Sequence, residues 1–151
     1  MNSEIANVLH GYIAVYVGGR GVIRDCSVGS MEIVGSVEVI DSDIQGGFKV
    51  SSSGTARVLG CKFSESSKGV DSSGSVTIKD STFSGNTIGL KGSGNGQIIV
   101  ESSTLSHNEE YGISLSGGAY AAITNCSVNS NGTGIDLGGD ATALITGSTI
   151  E

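Results

Sequence analysis

Seven times along this chain a β-branched aliphatic residue is followed three places later by Cys or Ser, and two places after that by a bulky apolar residue. The steps are Ile23-Cys26-Val28, Val39-Ser42-Ile44, Val58-Cys61-Phe63, Ile78-Ser81-Phe83, Val100-Ser103-Leu105, Ile123-Cys126-Val128 and Ile145-Ser148-Ile150. Their small central residues lie 16, 19, 20, 22, 23 and 22 positions apart. A repeat of about 20 residues holding two or three short β-rich segments is the mark of a solenoid, in which each repeat buries its apolar side only by stacking on its neighbours.

Each repeat has an internal order. In the later coils an Asn follows the Cys/Ser by five residues (Asn86, Asn108, Asn131), and a Gly-aliphatic pair comes next (Gly89-Leu90, Gly112-Ile113, Gly134-Ile135). The Asn and Gly positions suit corners, because both residues tolerate left-handed backbone that others avoid. Within Ser75-Val76-Thr77-Ile78-Lys79-Asp80 apolar and polar residues alternate, as a half-buried strand requires. Strands this short, with corners between them, stack as parallel strands one coil above the next. At about 4.8 Å per coil, seven to eight coils make a rod of roughly 35 Å. Like positions then form columns. The Ile23, Val39, Val58, Ile78, Val100, Ile123, Ile145 column is wholly β-branched and suits a pleated buried surface. The bulkier column from Val28 to Ile150 fills the middle of the coil, and Cys or Ser sits at a tight inside corner. The spacing widens from 16 to 22 or 23 residues, which predicts a rod tapering toward its N-terminus. An N-terminal coil is expected over His10–Gly19, which reads like Gly112–Gly118. Residues 1–9 are expected to be a cap or lead-in, with a short helix over Ser3–Leu9, and residues 10–151 the repeat domain.

Composition closes several doors. At 151 residues with 25 Gly, no Pro and no Trp, the chain is one domain, and its Val and Ile on a fixed period separate it from a disordered Gly/Ser-rich segment. A net charge of −7 argues against nucleic acid, which needs a basic surface to neutralise phosphates. No apolar run approaches a membrane span, and Met1–Ala6 lacks the basic and apolar regions of a secretory signal. Cys26, Cys61 and Cys126 occupy one column but never adjacent coils, since Ser42 stands between the first two and Ser81 and Ser103 between the last two. That spacing opposes both a disulfide and a zinc site, so the cysteines are expected to be packing.

The run from Ser106-His107-Asn108 through Gly112-Ile113 to Ile123-Thr124-Asn125-Cys126-Ser127-Val128 resembles the right-handed parallel β-helix repeat of the pectin-lyase-like superfamily. The resemblance extends from about Tyr12 to Ile150. It implies an all-β, right-handed parallel β-helix of about seven to eight coils, and it leaves activity open. That superfamily includes polysaccharide lyases and hydrolases, epimerases, bacterial surface proteins, and phage tailspikes and capsid decoration proteins, and a fold does not carry a function. Its commoner enzymes are much longer, with long loops that wall a substrate cleft; a column spacing that never exceeds 23 leaves no such loop here.

Hydrolases of the superfamily cluster Asp residues on adjacent coils, because one carboxyl must donate a proton while another accepts one. The best candidates here are Asp25, Asp41 and Asp80, each one residue before the Cys/Ser column. Gly60 interrupts that series, and Ser102, Asn125 and Gly147 continue it. The simpler reading is that these residues cap turns through local backbone hydrogen bonds. Asp71 and Asp136 share a second column but are separated by Lys91 and Ser114, and His10 and His107 are far apart in coil order. Lysines and arginines gather between residues 49 and 91, with carboxylates following from Glu101 to Glu151; a solvated face explains that asymmetry. Tyr12, Tyr16, Tyr111 and Tyr120 without any Trp do not indicate a sugar platform. An ice-binding face would need threonines in one flat array, and Thr77, Thr82, Thr104, Thr124, Thr146 and Thr149 are not expected to hold one column. No catalytic, metal or cofactor residue is therefore assigned. The last apolar residue, Ile150, stands next to the end of the sequence, so an open coil there is expected to need a cover. The expectation is a non-catalytic structural protein, in the setting of a phage-like virion as a decoration protein or small spike. Its partners would be copies of itself (a trimer) and a larger assembly such as a capsid, with a surface polysaccharide as a further possible ligand. The rival is a polysaccharide-active enzyme using Asp25, Asp41 and Asp80, and a third reading is a glycan-binding adhesin.

Overall fold

The computed structural model describes residues 2–6, 11–15 and 20–151. All regular structure among them is β. Three parallel sheets run the length of the rod. The first has eight strands: Asn2–Ala6, Arg20–Arg24, Ser36–Ile40, Thr55–Leu59, Ser75–Lys79, Gln97–Glu101, Tyr120–Thr124 and Thr142–Thr146. The second has seven shorter strands: Ser27–Val28, Asp43–Ile44, Lys62–Ser64, Thr82–Ser84, Thr104–Ser106, Ser127–Asn129 and Thr149–Ile150. The third also has seven: Tyr12–Val15, Ser30–Ile33, Phe48–Val50, Lys68–Ser72, Ile88–Gly92, Tyr111–Leu115 and Thr133–Leu137. The chain visits the three in turn, so that each strand pairs with the strand one coil earlier and one coil later.

Register follows the repeat read from the sequence. Ile23 pairs with Val39, Val39 with Val58, Val58 with Ile78, Ile78 with Val100, Val100 with Ile123 and Ile123 with Ile145. The first six of these side chains are at most 1% exposed. In the second sheet Ile44, Phe63, Phe83, Leu105 and Val128 form the facing column. The Phe63 and Phe83 rings stack with centroids 4.6 Å apart and planes 8° apart, and Phe48 from the third sheet meets Phe63 edge-on at 6.0 Å. A β-branched column therefore fits the longest strands, while flat rings fill the middle of the coil.

The narrower early coils have shorter strands. The second sheet takes two residues at Ser27–Val28 and Asp43–Ile44 but three from Lys62–Ser64 to Ser127–Asn129. At the other end Ile145, Leu137 and Ile150 belong to inward columns yet are 44%, 49% and 38% exposed, because no coil lies over them.

Two expectations need correction. The helix expected over Ser3–Leu9 is a strand across Asn2–Ala6, which pairs in register with Arg20–Arg24; residues 7–9 lie outside the described residues. A segment this short gains more from completing a sheet ladder than from one isolated helical turn, whose nucleation is unfavourable. Of the stretch expected to form the N-terminal coil, Tyr12–Val15 joins the third sheet beside Ser30–Ile33, the sheet to which its look-alike Gly112-Ile113 belongs. His10 and residues 16–19 lie outside the described residues.

The second correction concerns the glycines of the Gly-aliphatic pairs. The positive-φ glycines lie elsewhere, so left-handed backbone is not what Gly89 and Gly112 supply. A Cβ on Gly89 would stand 2.6 Å from the carbonyl oxygen of Gly112, and one on Gly112 2.7 Å from that of Gly134. These positions need Gly because one coil's backbone presses on the next.

Two substitutions test the packing. Gly112→Ala is expected to cost roughly 1–3 kcal/mol in urea unfolding, because the methyl group meets backbone that cannot yield. Ile78→Asp, a lone carboxylate at a site with no exposure, is expected to abolish cooperative folding, a loss of about 4 kcal/mol or more. An unchanged thermal melt for Ile78→Asp would refute the column assignment.

Candidate functional site

The candidate acids sit on the corner that links the first sheet to the second. Asp25, Asp41, Asp80, Ser102 and Asn125 all hold positive φ, between 46° and 53°, and Gly60 and Gly147 continue the series at 64° and 60°. Asp, Asn and Gly are the residues that adopt this conformation at least cost. The side chains of Asp25, Asp41 and Asp80 make no hydrogen bond among the described residues, so the expected turn cap is not what selects them; the left-handed backbone is. Asp41 Oδ1 leans over Gly60, where a Cβ would lie only 2.3 Å from it. Asp41 and Asp80 thus stand on either side of a bare glycine coil, and both are exposed.

The next inward position carries the Cys/Ser column, and it does more than save space. Ser81 Oγ accepts the backbone N–H of Cys61 at 3.1 Å and donates to the carbonyl of Lys79 at 2.8 Å. Ser103 Oγ takes the N–H of Ser81 at 3.1 Å and donates to Glu101 at 2.8 Å. Ser42 and Ser148 receive the N–H groups of Cys26 and Cys126 in the same way. The thiols of Cys61 and Cys126 point at carbonyls of their own and the preceding coil. Where the coil above carries Ser, its hydroxyl satisfies the corner N–H of the coil beneath, which removes the cost of burying it. Burial pushes the Cys61 thiol up to about 11 and also raises Cys126. All three cysteines are buried and free, consistent with packing.

The asparagines expected at a left-handed corner are instead one residue past it. Glu65, Gly85, His107 and Ser130 take the positive φ, and Asn86 and Asn108 turn inward, 2% exposed. Asn86 Nδ2 donates to Asn108 Oδ1 at 3.1 Å, and Asn108 Nδ2 donates to Asn131 Oδ1 at 2.9 Å. The same oxygens accept the backbone N–H groups of Asn86 and Asn108, and the amides also reach the carbonyls of Phe63 and Phe83. An amide has both donors and acceptors, so one residue type can bond to copies of itself above and below. A shallow hollow outside this ladder is lined by Glu65, Thr87, His107 and Glu109. No group of three or more His, Cys, Asp or Glu that could hold a metal occurs among the described residues.

The three outer faces differ. On the third sheet Glu32, Lys49, Asp71, Lys91, Ser114 and Asp136 follow one another in register. The separation of Asp71 from Asp136 by Lys91 and Ser114 is as expected. Lys49 lies 3.1 Å from Glu32 and Lys68 2.7 Å from Asp71. The Lys49 ammonium, with the Tyr12 hydroxyl, holds the Glu32 carboxyl below its ordinary range. On the second sheet the outward residues are all polar, hydroxyl-bearing or charged apart from the amide of Asn129. The threonines, as expected, hold no single column: Thr82 and Thr104 are register partners with Thr149 following through Ser127, Thr124 and Thr146 pair on the first sheet, and Thr77 stands in another column of that sheet. Unequal coil lengths hide this alignment in the sequence.

The outward face of the first sheet is unlike both. It carries Val22, Ile40, Leu59, Ile99, Ala122 and Leu144 between polar positions, with Tyr120 beside Ala122. Ile99, Ala122 and Leu144 are register neighbours, and Ile99 is 41% exposed although coils cover it on both sides. Every arginine of the chain (Arg20, Arg24, Arg57) lies on this face, with Lys79 and the carboxylates Glu4, Glu38 and Glu101. Arg24 pairs with Glu4, and Arg57 with Glu38 at 3.7 Å. Two hollows of about 390 and 400 Å³ on the face share Thr55 and Arg57; Arg20 and Glu38 line one, Lys79 and Glu101 the other. Sequence reading missed this face, since single apolar residues scattered over separate repeats gave no signal until the register joined them.

Residues 14–151 match the model of a family described as a right handed beta helix region. No curated protein and no solved structure matches the chain.

Asn108→Ala should destabilise the fold by about 2–3 kcal/mol in urea, because it leaves buried groups of Asn86 and Phe83 unpaired. Cys61→Ser should be nearly neutral at pH 7, since Ser already serves this column. The raised thiol pKa gives a sign to the pH dependence. The folded state keeps its advantage below the pKa of an unfolded thiol, about 8.5, and loses it as pH rises toward about 11. Unfolding free energy measured between pH 8 and 11 should fall less steeply for Cys61→Ser than for the parent.

Proposed function

Because the chain belongs to the right-handed β-helix family, whose architecture by itself assigns no activity, we propose that it is a non-catalytic structural rod that works in a larger protein assembly. The setting we favour is a phage-type virion, with the rod as a capsid decoration protein or small spike. One observation carries the reading: from Arg20 onward no connection between successive strands exceeds four residues. Ligand clefts are concave and bury most of what they bind, and turns this short build no wall around a substrate. The carboxylates fit the same reading. Asp25, Asp41 and Asp80 occupy a corner for its backbone conformation, and among the described residues no acid is hydrogen-bonded to Asp41 or Asp80.

A second reading has an observation of its own. The hollow lined by Leu59, Lys79 and Glu101 adjoins the corner where Asp41 and Asp80 flank Gly60, an arrangement a polysaccharide chain could lie along. Incubation with a panel of acidic and neutral polysaccharides separates the two. No release of reducing ends or unsaturated products is expected. Turnover that Asp41→Ala or Asp80→Ala abolishes would overturn the structural role.

A further inference from the structure

We propose that the outward face of the first sheet is the contact through which two copies of this chain pair, with their rods antiparallel. The pairing deepens the assembly reading above and rests on it. The second sheet establishes that the coil can present a face with no apolar side chain at all, so the outward Ile99, Ala122 and Leu144 of the first sheet are not demanded by the fold. Aliphatic, Tyr and Arg side chains together are the composition of the buried centre of an interface. Charge selects the partner. The chain carries −7 overall, yet this face holds Arg20, Arg24, Arg57 and Lys79 against only Glu4, Glu38 and Glu101. Two copies therefore meet here with nearly balanced charge.

Orientation follows from register. With the rods antiparallel, strands parallel and the eight strands fully overlapped, Arg20 lies over the partner copy's Tyr120, Glu38 over its Ile99 and Arg57 over its Thr77. No like charges oppose. With the rods parallel, Arg57 would face Arg57 and Glu38 would face Glu38, which is unfavourable. Eight strands about 4.8 Å apart and five residues of about 3.3 Å each give roughly 600 Å² per copy, or about 1,200 Å² in all, at the lower bound for a specific interface.

Sedimentation velocity over a hundredfold range of concentration tests this, with circular dichroism reporting the fold of each variant. The wild-type chain should dimerise reversibly. Ile99→Glu, which places a carboxylate over the partner copy's Glu38, should weaken the dimer at least tenfold, and Ala122→Lys, which places an ammonium between the partner copy's Arg20 and Arg24, should do likewise, serving if the first variant does not fold. Ile99→Lys should hold the affinity within about threefold, because the ammonium meets Glu38. Thr104→Glu, on the second sheet, should leave it unchanged. A wild-type monomer at every concentration overturns the pairing. A dimer indifferent to Ile99→Glu overturns the choice of face while leaving the assembly reading intact, and equal loss with Ile99→Glu and Ile99→Lys overturns the antiparallel orientation. The polysaccharide panel decides the structural role independently of all these outcomes.

Discussion

Every strand residue of the inner coils sits directly between its counterparts one coil above and one coil below, at the spacing of neighbouring parallel strands. An inward position must therefore hold residues that tolerate their own kind as neighbours on both sides. Ile and Val satisfy this by interlocking, and Phe63 on Phe83 by stacking. Asn satisfies it by offering a donor to one neighbour and an acceptor to the other, and Ser by accepting from the coil beneath while donating to a carbonyl of its own coil. Lys, Asp and Glu fail it, and none of them is among the buried polar residues.

The buried polar columns deserve the same weight as the apolar ones. A coil of about 20 residues turns three times, and each turn takes backbone groups out of the strand ladders. At the first corner Ser81, Ser103 and Ser148 accept the stranded N–H of the coil beneath; at the second Asn108 and Asn131 do so. Without these acceptors each coil would bury unsatisfied amides, at a cost comparable to the hydrophobic gain from one core side chain. Because all this specification is inward, the outer faces can diverge: one a charge-alternating ladder, one a hydroxyl surface, and one carrying aliphatic side chains and the arginines.

The repeat was legible because its core columns are chemically narrow: aliphatic, then Cys or Ser, then bulky apolar, at offsets that unequal coils do not disturb. What escaped detection depended on geometry that no offset encodes. Asn86 and Asn108 suggested left-handed corners by type, but the turn falls one residue earlier, on Gly85 and His107, because an amide directed inward satisfies more groups than one in the turn. Gly89 and Gly112 likewise signalled a turn when they mark contact between coils. The threonine columns and the Ile99–Ala122–Leu144 stripe were scattered by insertions at the corners until pairing aligned them. The N-terminal strand was missed because Asn2–Ala6 has no pattern of its own and is a strand only by virtue of its neighbour.

The dependence of the fold on its inward polar columns is tested most directly by native-state hydrogen exchange at single backbone amides. The N–H groups of Asn86, Asn108, Cys61 and Ser81, which bond only to column side chains, should exchange as slowly as the strand amides of Ile78 and Val100, through global unfolding alone. Exchange of those four amides at the rate of the exposed turn residues, while the strands stay protected, would contradict the account.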